Sequence, residues 1–287
     1  MTSAFGQALK TWRSQRGRSQ LDLALVSGFS QRHLSFLESG RSRPSRSTVV
    51  ILAEALEIPV KERNALLHAA GFAPLYTAEP LDSAGLRSAL GALESVVQSH
   101  RPFPALIVDR AWNLLGGNDN AFALFQRFMD QPLAADADHP QNAMGMCLDH
   151  RGLRPWIRNW APFMASLLGQ LKTQLVHAES ADLRSLIERI EADAEFRAHG
   201  RDGAESVGTP VPTLALARDG MEMELFTLHS AFATPNDATL AELRVETFFP
   251  ANEASRAALL ALDAELRGAD PQAAQRPPLV AWRRANG

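Results

Sequence analysis

The stretch SQRHLSFLESGRSRPS, residues 30–45, sets a hydroxyl, an amide, a guanidinium and an imidazole side by side. Apolar residues at helical spacing follow, then a glycine, then arginines. These are hydrogen-bonding groups, suited to reading polar edges rather than to breaking bonds. Ser30 predicts an N-cap, accepting from the free amides of a first turn. Leu34 and Leu37 share one face. Gly40 stands where a left-handed cap ends a helix. Gln31, Arg32, Ser35 and Phe36 are left on the outer side. An ordinary solvated helix face carries similar residues, so the surrounding chain has to decide between the two readings.

Catalytic chemistry finds less support. Cys147 and His150 are close in sequence with Asp149 between them, but a catalytic dyad is normally assembled from separate segments. Eight histidines include no HExxH, and one cysteine cannot build a cysteine-rich zinc site. Neither a Walker loop nor a dinucleotide glycine fingerprint occurs. The expectation is a protein that is not an enzyme, with no catalytic residues, no metal and no cofactor.

With 287 residues, 46% hydrophobic and 21% charged, the chain reads as one large or two ordinary soluble domains. A single cysteine excludes an internal disulfide and fits a reducing compartment. The start, MTSAFGQALKTWR, lacks the apolar core of a signal peptide, and no run reaches the length of a membrane span. The expected setting is cytoplasmic, with no membrane partner. The net charge of −3 is unevenly spread. Residues 1–75 hold ten Lys/Arg against five Asp/Glu, leaving +5 there and −8 elsewhere. A basic module for a polyanion, joined to a more acidic partner domain, follows from that segregation.

Five short helices are predicted in the basic part. Phe5, Leu9 and Trp12 mark the first, ending near Gly17. Ser19 caps the second with Asp22 at the capping-box position, and Ser27-Gly28-Phe29 forms an abrupt turn into the third. Pro44 and Ser45 open a fourth with Val49, Leu52, Ala53 and Leu56 inward. Pro59 precedes a fifth that stops at Gly71. Two short helices joined by a glycine turn form a helix-turn-helix.

The segment SQLDLALVSGFSQRHLSFLESGRSRPS resembles the DNA-binding domain of the XRE/Cro family, an all-α, five-helix, lambda-repressor-like fold. The resemblance implies that the third helix enters the major groove of double-stranded DNA. It makes Gln31 and Arg32 base readers, an amide suiting adenine and a guanidinium suiting guanine. It places Gln20, Ser30, Arg41 and Arg43 at phosphate-contact positions. Phe36 either meets a thymine methyl or packs against a neighbouring helix. His33 is expected to cap locally or touch phosphate. Arg13 and Glu38 occupy positions that form a partly buried ion pair in the family.

Beyond FAPLYTAEPLD, a linker bracketed by Pro74 and Pro80, a helix is predicted over 83–98. The segment PALIVDRAWNLLGGNDNAFALF reads as strand 105–108, turn, strand 112–115 and a helix from about Asn118, an order that resembles the opening of a PAS domain. Amphipathic helices are expected in GLRPWIRNWAPFMASLLGQLKTQL and ADLRSLIERIEADAEF, with a loop in GRDGAESVGTPVP. Asp219-Gly220 between two alternating runs predicts a hairpin. ELRVETFFP supplies a last strand before a helix ending near Arg267. With LRPWIRNW, this series resembles the ligand-binding domain of MmyB-like transcription regulators, whose members carry an XRE-type N-terminus.

The resemblance implies a PAS-like α/β sensor holding a fatty-acid-like apolar effector. The segments 153–175 and 213–232 are candidates to enclose it, with Trp112, Trp156, Trp160, Phe163 and Phe226 as lining or as ordinary core. Arg154 and Arg158, one turn apart on one predicted helix, are candidates to hold a carboxylate. Met221 and Met223 suit an adaptable wall. The expected organisation is a helix-turn-helix domain at 1–73, a linker at 74–82, a PAS-like ligand-binding domain at 83–267 and a tail at 268–287. The expected function is a homodimeric, DNA-binding transcription regulator controlled by a small apolar ligand. The alternative is a ligand-sensing protein–protein interaction module with DNA binding secondary.

Overall fold

The computed structural model describes residues 3–133, 141–177, 181–203, 211–269 and 279–280. The expected 200–212 loop and the expected tail lie largely outside the described residues. The chain divides into two compact units. The first runs to Glu79 and also takes in Ala233–Ala241 and the stretch from Thr173. The second begins at Pro80. The expected 74–82 linker is therefore shared between the two.

All five predicted helices form in the first unit: α1 (Ala4–Gln15), α2 (Gln20–Ser27), α3 (Gln31–Ser39), α4 (Arg46–Ala55) and α5 (Val60–Ala69). Local chemistry sets their limits. The Ser19 hydroxyl accepts from the Asp22 amide while the Asp22 carboxylate accepts from the Ser19 amide, a complete capping box. Gly28 (φ 74°) and Gly40 (φ 78°) take the left-handed conformation at the ends of α2 and α3. Phe5, Leu9, Leu23, Leu34, Leu37, Leu52 and Leu56 form the buried core.

The crossing of α1 on α3 is close because Gly6 has no side chain. A Cβ there would lie 2.5–2.6 Å from the carbonyl oxygens of Glu38 and Leu37. Buried Glu38 binds the same region polarly. It accepts from Arg13 Nε at 2.6 Å, Arg13 Nη2 at 3.0 Å and Gln20 Nε2 at 2.8 Å. The first unit is completed by a distant piece of chain. The Asp237 carboxylate accepts from the Glu79 amide at 3.0 Å, the Ala238 amide donates to the Thr77 carbonyl at 2.7 Å, and Ala238 joins the core beside Tyr76.

The second unit contains α6 (Arg87–Ser99), β1 (Ala105–Val108), β2 (Leu114–Gly117), α7 (Asp119–Gln126) and α8 (Ala143–Met146). It continues with α9 (Trp160–His177), α10 (Ala181–Ala192), α11 (Ala194–Gly203), β3 (Leu214–Arg218) and β4 (Met221–Ala231). After a short α12 (Ala238–Glu242), nearly all of it in the first unit, come β5 (Arg244–Pro250), α13 (Glu253–Ala269) and β6 (Leu279–Val280). The strands form one antiparallel sheet in the order β3-β4-β5-β1-β2-β6, on which α6 and α13 pack. Asp219 (φ 50°) and Gly220 (φ 81°) make the predicted hairpin turn. Fully buried Asn118 fastens α6, β1 and α7. Its Oδ1 accepts from the Ala105 and Ala121 amides, and its Nδ2 donates to the Val97 and Phe103 carbonyls. No helix among the described residues is long and apolar enough to cross a membrane.

Two expectations need correction. The second strand starts at Leu114, not at residue 112, because Trp112 turns into the left-handed region (φ 69°). Arg154 and Arg158 do not share a helix. Pro155 confines Arg154–Trp156 to a single 3-10 turn; Ile157 is extended, and the Arg158 amide donates to the Ala215 carbonyl at 2.8 Å. The α-helix begins only at Trp160.

Replacing Glu38 with Ala leaves Arg13 and Gln20 without their shared acceptor in a largely buried position. The expected loss is roughly 3 kcal/mol of unfolding free energy, measurable by chemical denaturation of the full chain followed through the helical signal.

Candidate functional site

The first unit presents one coherent polar edge. Leu34 and Leu37 are fully buried and anchor α3 against α1 and α2, so the opposite side of α3 faces outward. Ser30 accepts from the His33 amide at 3.1 Å, which leaves its hydroxyl proton available to an acceptor. Gln31 and Arg32 are exposed in the first turn of α3. Phe36, one turn on, is half-buried and carries two guanidinium groups, with Arg32 Cζ at 5.3 Å and Arg41 Cζ at 5.9 Å from its ring centre. Its ring thus holds the two cations near the edge of α3. Arg41 and Arg43 are both exposed in the segment leaving α3. His33 rests against Phe29 with ring centres 5.5 Å apart.

The structure therefore brings Ser30, Gln31, Arg32, Phe36, Arg41 and Arg43 together around α3 and its exit. Gln20, half-buried at the start of α2, has a contact within the unit as well. Its amide donates to Glu38, so it supports the Arg13–Glu38 ion pair from α2. The Arg13 guanidinium is held above its ordinary pKa by its hydrogen bond to Glu38. The pair stays charged and structural.

The second unit holds a cavity of about 100 Å³, partly open to solvent. From α9 come Phe163, Ser166, Leu167 and Gln170; from α8 and its C-cap come Met144, Met146 and Cys147. The sheet supplies Leu106, Leu214, Leu225, Thr227, His229, Glu246 and Phe248. Register explains this set. Leu106 and His229 both pair with Glu246, and Thr227 pairs with Phe248, so the side chains stand on one face in adjacent rows.

Trp112, only 1% exposed, closes one wall and meets the His229 ring edge-on at 5.1 Å. Its left-handed backbone is strained for an aromatic residue. The turn is held in place by the Trp112 amide donating to the Asp109 carbonyl at 3.0 Å and by the Ala143 amide donating to the Trp112 carbonyl at 2.8 Å. Burial, with the nearby Glu246 charge, pushes the Cys147 thiol up to about 12, so it lines the wall as a neutral group.

Of the residues expected to bind a ligand, Trp112, Phe163 and Phe226 line the cavity. Phe226 also stacks on Phe249 at 5.5 Å. The other four do not line it. Arg154 pairs with Asp193 and Glu195 and lies over the Trp160 ring at 3.9 Å. Trp160 donates its indole N–H to the Cys147 carbonyl at 2.7 Å. Trp156 stacks under Arg218 at 4.3 Å, and Arg158 is exposed. Arg154 in turn holds the Asp193 carboxyl below the usual carboxylate range.

The adaptable methionines of the wall are Met144 and Met146 rather than Met221 and Met223, which pair with β3 beyond the cavity. Sequence reasoning also missed His229 and Glu246. Among the described residues no Lys or Arg lines the cavity, and no group of metal-ligating side chains occurs. The cavity can hold an apolar body and offers polar groups at few points.

No curated protein matches the sequence. Residues 9–62 match the helix-turn-helix family model, which agrees with the α1–α5 unit and its outward-facing α3. Residues 91–262 match the model of the MmyB-like transcription regulator ligand binding domain, which contains the cavity. That match spans more than half of the 287 residues, and the chain belongs to the MmyB-like transcription regulators.

Proposed function

We propose that this regulator binds a specific DNA site through α3 and that an acyl-chain ligand, a fatty acid or a close chemical relative, sets its affinity for that site. The observation carrying the ligand half is the cavity between α8, α9 and the sheet, lined mostly by Leu, Met, Phe and Trp. Each buried methylene contributes roughly 0.8 kcal/mol, so a long chain binds there with little polar help. Unbranched Met144 and Met146 can re-pack around chains of different length. The antiparallel sheet with its helices supports the PAS-like sensor reading. Such a ligand regulates only if it prefers one state of the chain over another. No catalytic step is part of this reading.

On the DNA side, exposed Gln31 and Arg32 read base edges in the major groove, while Ser30, Arg41 and Arg43 hold the phosphates. With a duplex selected from a random library, Arg32→Ala should lose about 1–3 kcal/mol on the selected site and far less on random duplex. Arg43→Ala should weaken both alike and lower the salt slope by about one ion. Equal losses for Arg32→Ala on both duplexes would remove it from the base-reading set. The measurement is duplex titration across a salt series.

One α3 covers few base pairs, so the chain acts as a homodimer on a pseudo-palindromic site, with the ligand-binding domain supplying most of the dimer contact. The expected footprint has two half-sites about 34–36 Å apart on one face of the duplex. A single protected half-site, or monomer mass by light scattering at working concentration, counts against this.

Phe163→Asp places a charge in the cavity wall. Fatty-acid addition should then no longer raise the melting temperature, while helix content and binding to random duplex persist. If the wild-type protein, stripped of lipid, is not stabilised by any fatty acid, the apolar-ligand reading fails and a protein–protein output becomes the better account.

A further inference from the structure

The cavity wall holds a carboxylate that its apolar neighbours do not explain. Glu246 stands on β5 with only 7% exposure, between Leu106 of β1 and His229 of β4 in the same cross-strand row. Among the described residues its one hydrogen-bond contact is long, His229 Nε2 at 3.5 Å from Oε1. An ionised carboxylate has about four lone-pair sites to satisfy, and buried acceptors are normally paired. Here the unmet acceptor capacity faces a cavity.

The surroundings define what can approach. His229, with its side chain 30% exposed, is the other charged-capable group in the row. The Cys147 thiol, from the C-cap of α8, stays neutral. The α9 wall brings Phe163, Ser166, Leu167 and Gln170, none of which titrates. Arg244 is the next same-face residue on β5, but it is outside the lining and interacts with Arg110, Glu242 and Asp109. An ionised ligand carboxylate would therefore meet Glu246 with no lysine or arginine among the described lining residues to offset the repulsion.

We propose that Glu246, with His229 beside it, is the head-group reader of the cavity, and that it selects acyl-chain ligands whose polar end donates a hydrogen bond. A long-chain alcohol or amide meets that requirement as it stands. A fatty acid meets it only in its neutral form, with its O–H donated to the Glu246 carboxylate. This inference rests on the apolar-ligand reading and narrows it to a chemical class. A site built to accept from a ligand donor discriminates strongly against an analogue that lacks the proton.

The test uses the full chain, stripped of lipid, and a dodecyl series below micelle formation: dodecanol, dodecanamide and dodecanoate, titrated calorimetrically. At about pH 8 the alcohol and amide should bind at least about tenfold more tightly than dodecanoate. Lowering the pH toward the range where carboxylic acids take up a proton, about 4–5, should tighten dodecanoate relative to the alcohol and narrow the gap between them. In Glu246→Gln, which keeps the side-chain shape, dodecanoate should gain and the alcohol should lose, closing the gap at pH 8. Should this variant fold poorly, the wild-type comparison at pH 8 decides alone. Dodecanoate binding tightest at pH 8, or equal affinity across the series, overturns the head-group role and leaves the apolar-ligand reading standing. Binding of no member overturns both.

Discussion

The first unit is organised around one buried negative charge. Glu38 sits near the end of α3, and its carboxylate is met by the Arg13 guanidinium from α1 and the Gln20 amide from α2. Arg13 also donates from Nη1 to the Arg18 carbonyl at 2.7 Å, which ties down the connection between those helices. A buried charge without its partners is strongly unfavourable, whereas apolar contacts tolerate many small rotations. The three helices can therefore satisfy Glu38 in few arrangements. The direction in which Gln31 and Arg32 leave α3 inherits that restriction.

The ligand-binding domain repeats the device with a neutral group. Asn118 uses both of its amide protons and accepts twice at its oxygen, so the ends of α6, β1 and α7 are fixed to one another inside the core. On that side the wall is stiff, and Trp112 keeps a strained backbone within it. Joined to it through the Ala143 amide is α8, which carries Met144 and Met146 with their flexible side chains. The cavity thus combines a rigid face, where a polar group can be placed accurately, with a compliant face that follows the shape of a chain.

Much of this was legible in the sequence because it is local. Caps, glycine stops and helical spacing delivered all five N-terminal helices, and Asp219-Gly220 delivered the hairpin. The misreadings share a cause in distant contacts. Trp112 looked like a strand residue because nothing nearby discloses a left-handed turn held by Ala143. The 153–159 segment looked helical until Pro155 and the backbone bond from Arg158 to Ala215 opened it. Glu246 went unseen because β5 is covered on both sides. Val245, Glu246, Thr247 and Phe248 are all buried, which erases the alternation that would have marked an inward carboxylate. Arg154 and Arg158 drew attention as an anion site because a pair of arginines is conspicuous, while the partner of the first, Asp193, lies 39 residues away.

The N-terminal unit is also assembled out of sequence order, and this bears on its synthesis. The bond from the Glu79 amide to Asp237 spans 158 residues, and Tyr76 shares its core with Ala238. At a translation rate of about 5–20 residues per second, the ribosome needs on the order of ten to thirty seconds to travel that distance. For that interval the newly made helices exist without their closing segment, and Tyr76 to Glu79 lack their native neighbours. A nascent chain can form α1 to α5 early, yet it reaches the finished unit only after most of the ligand-binding sheet has been synthesised.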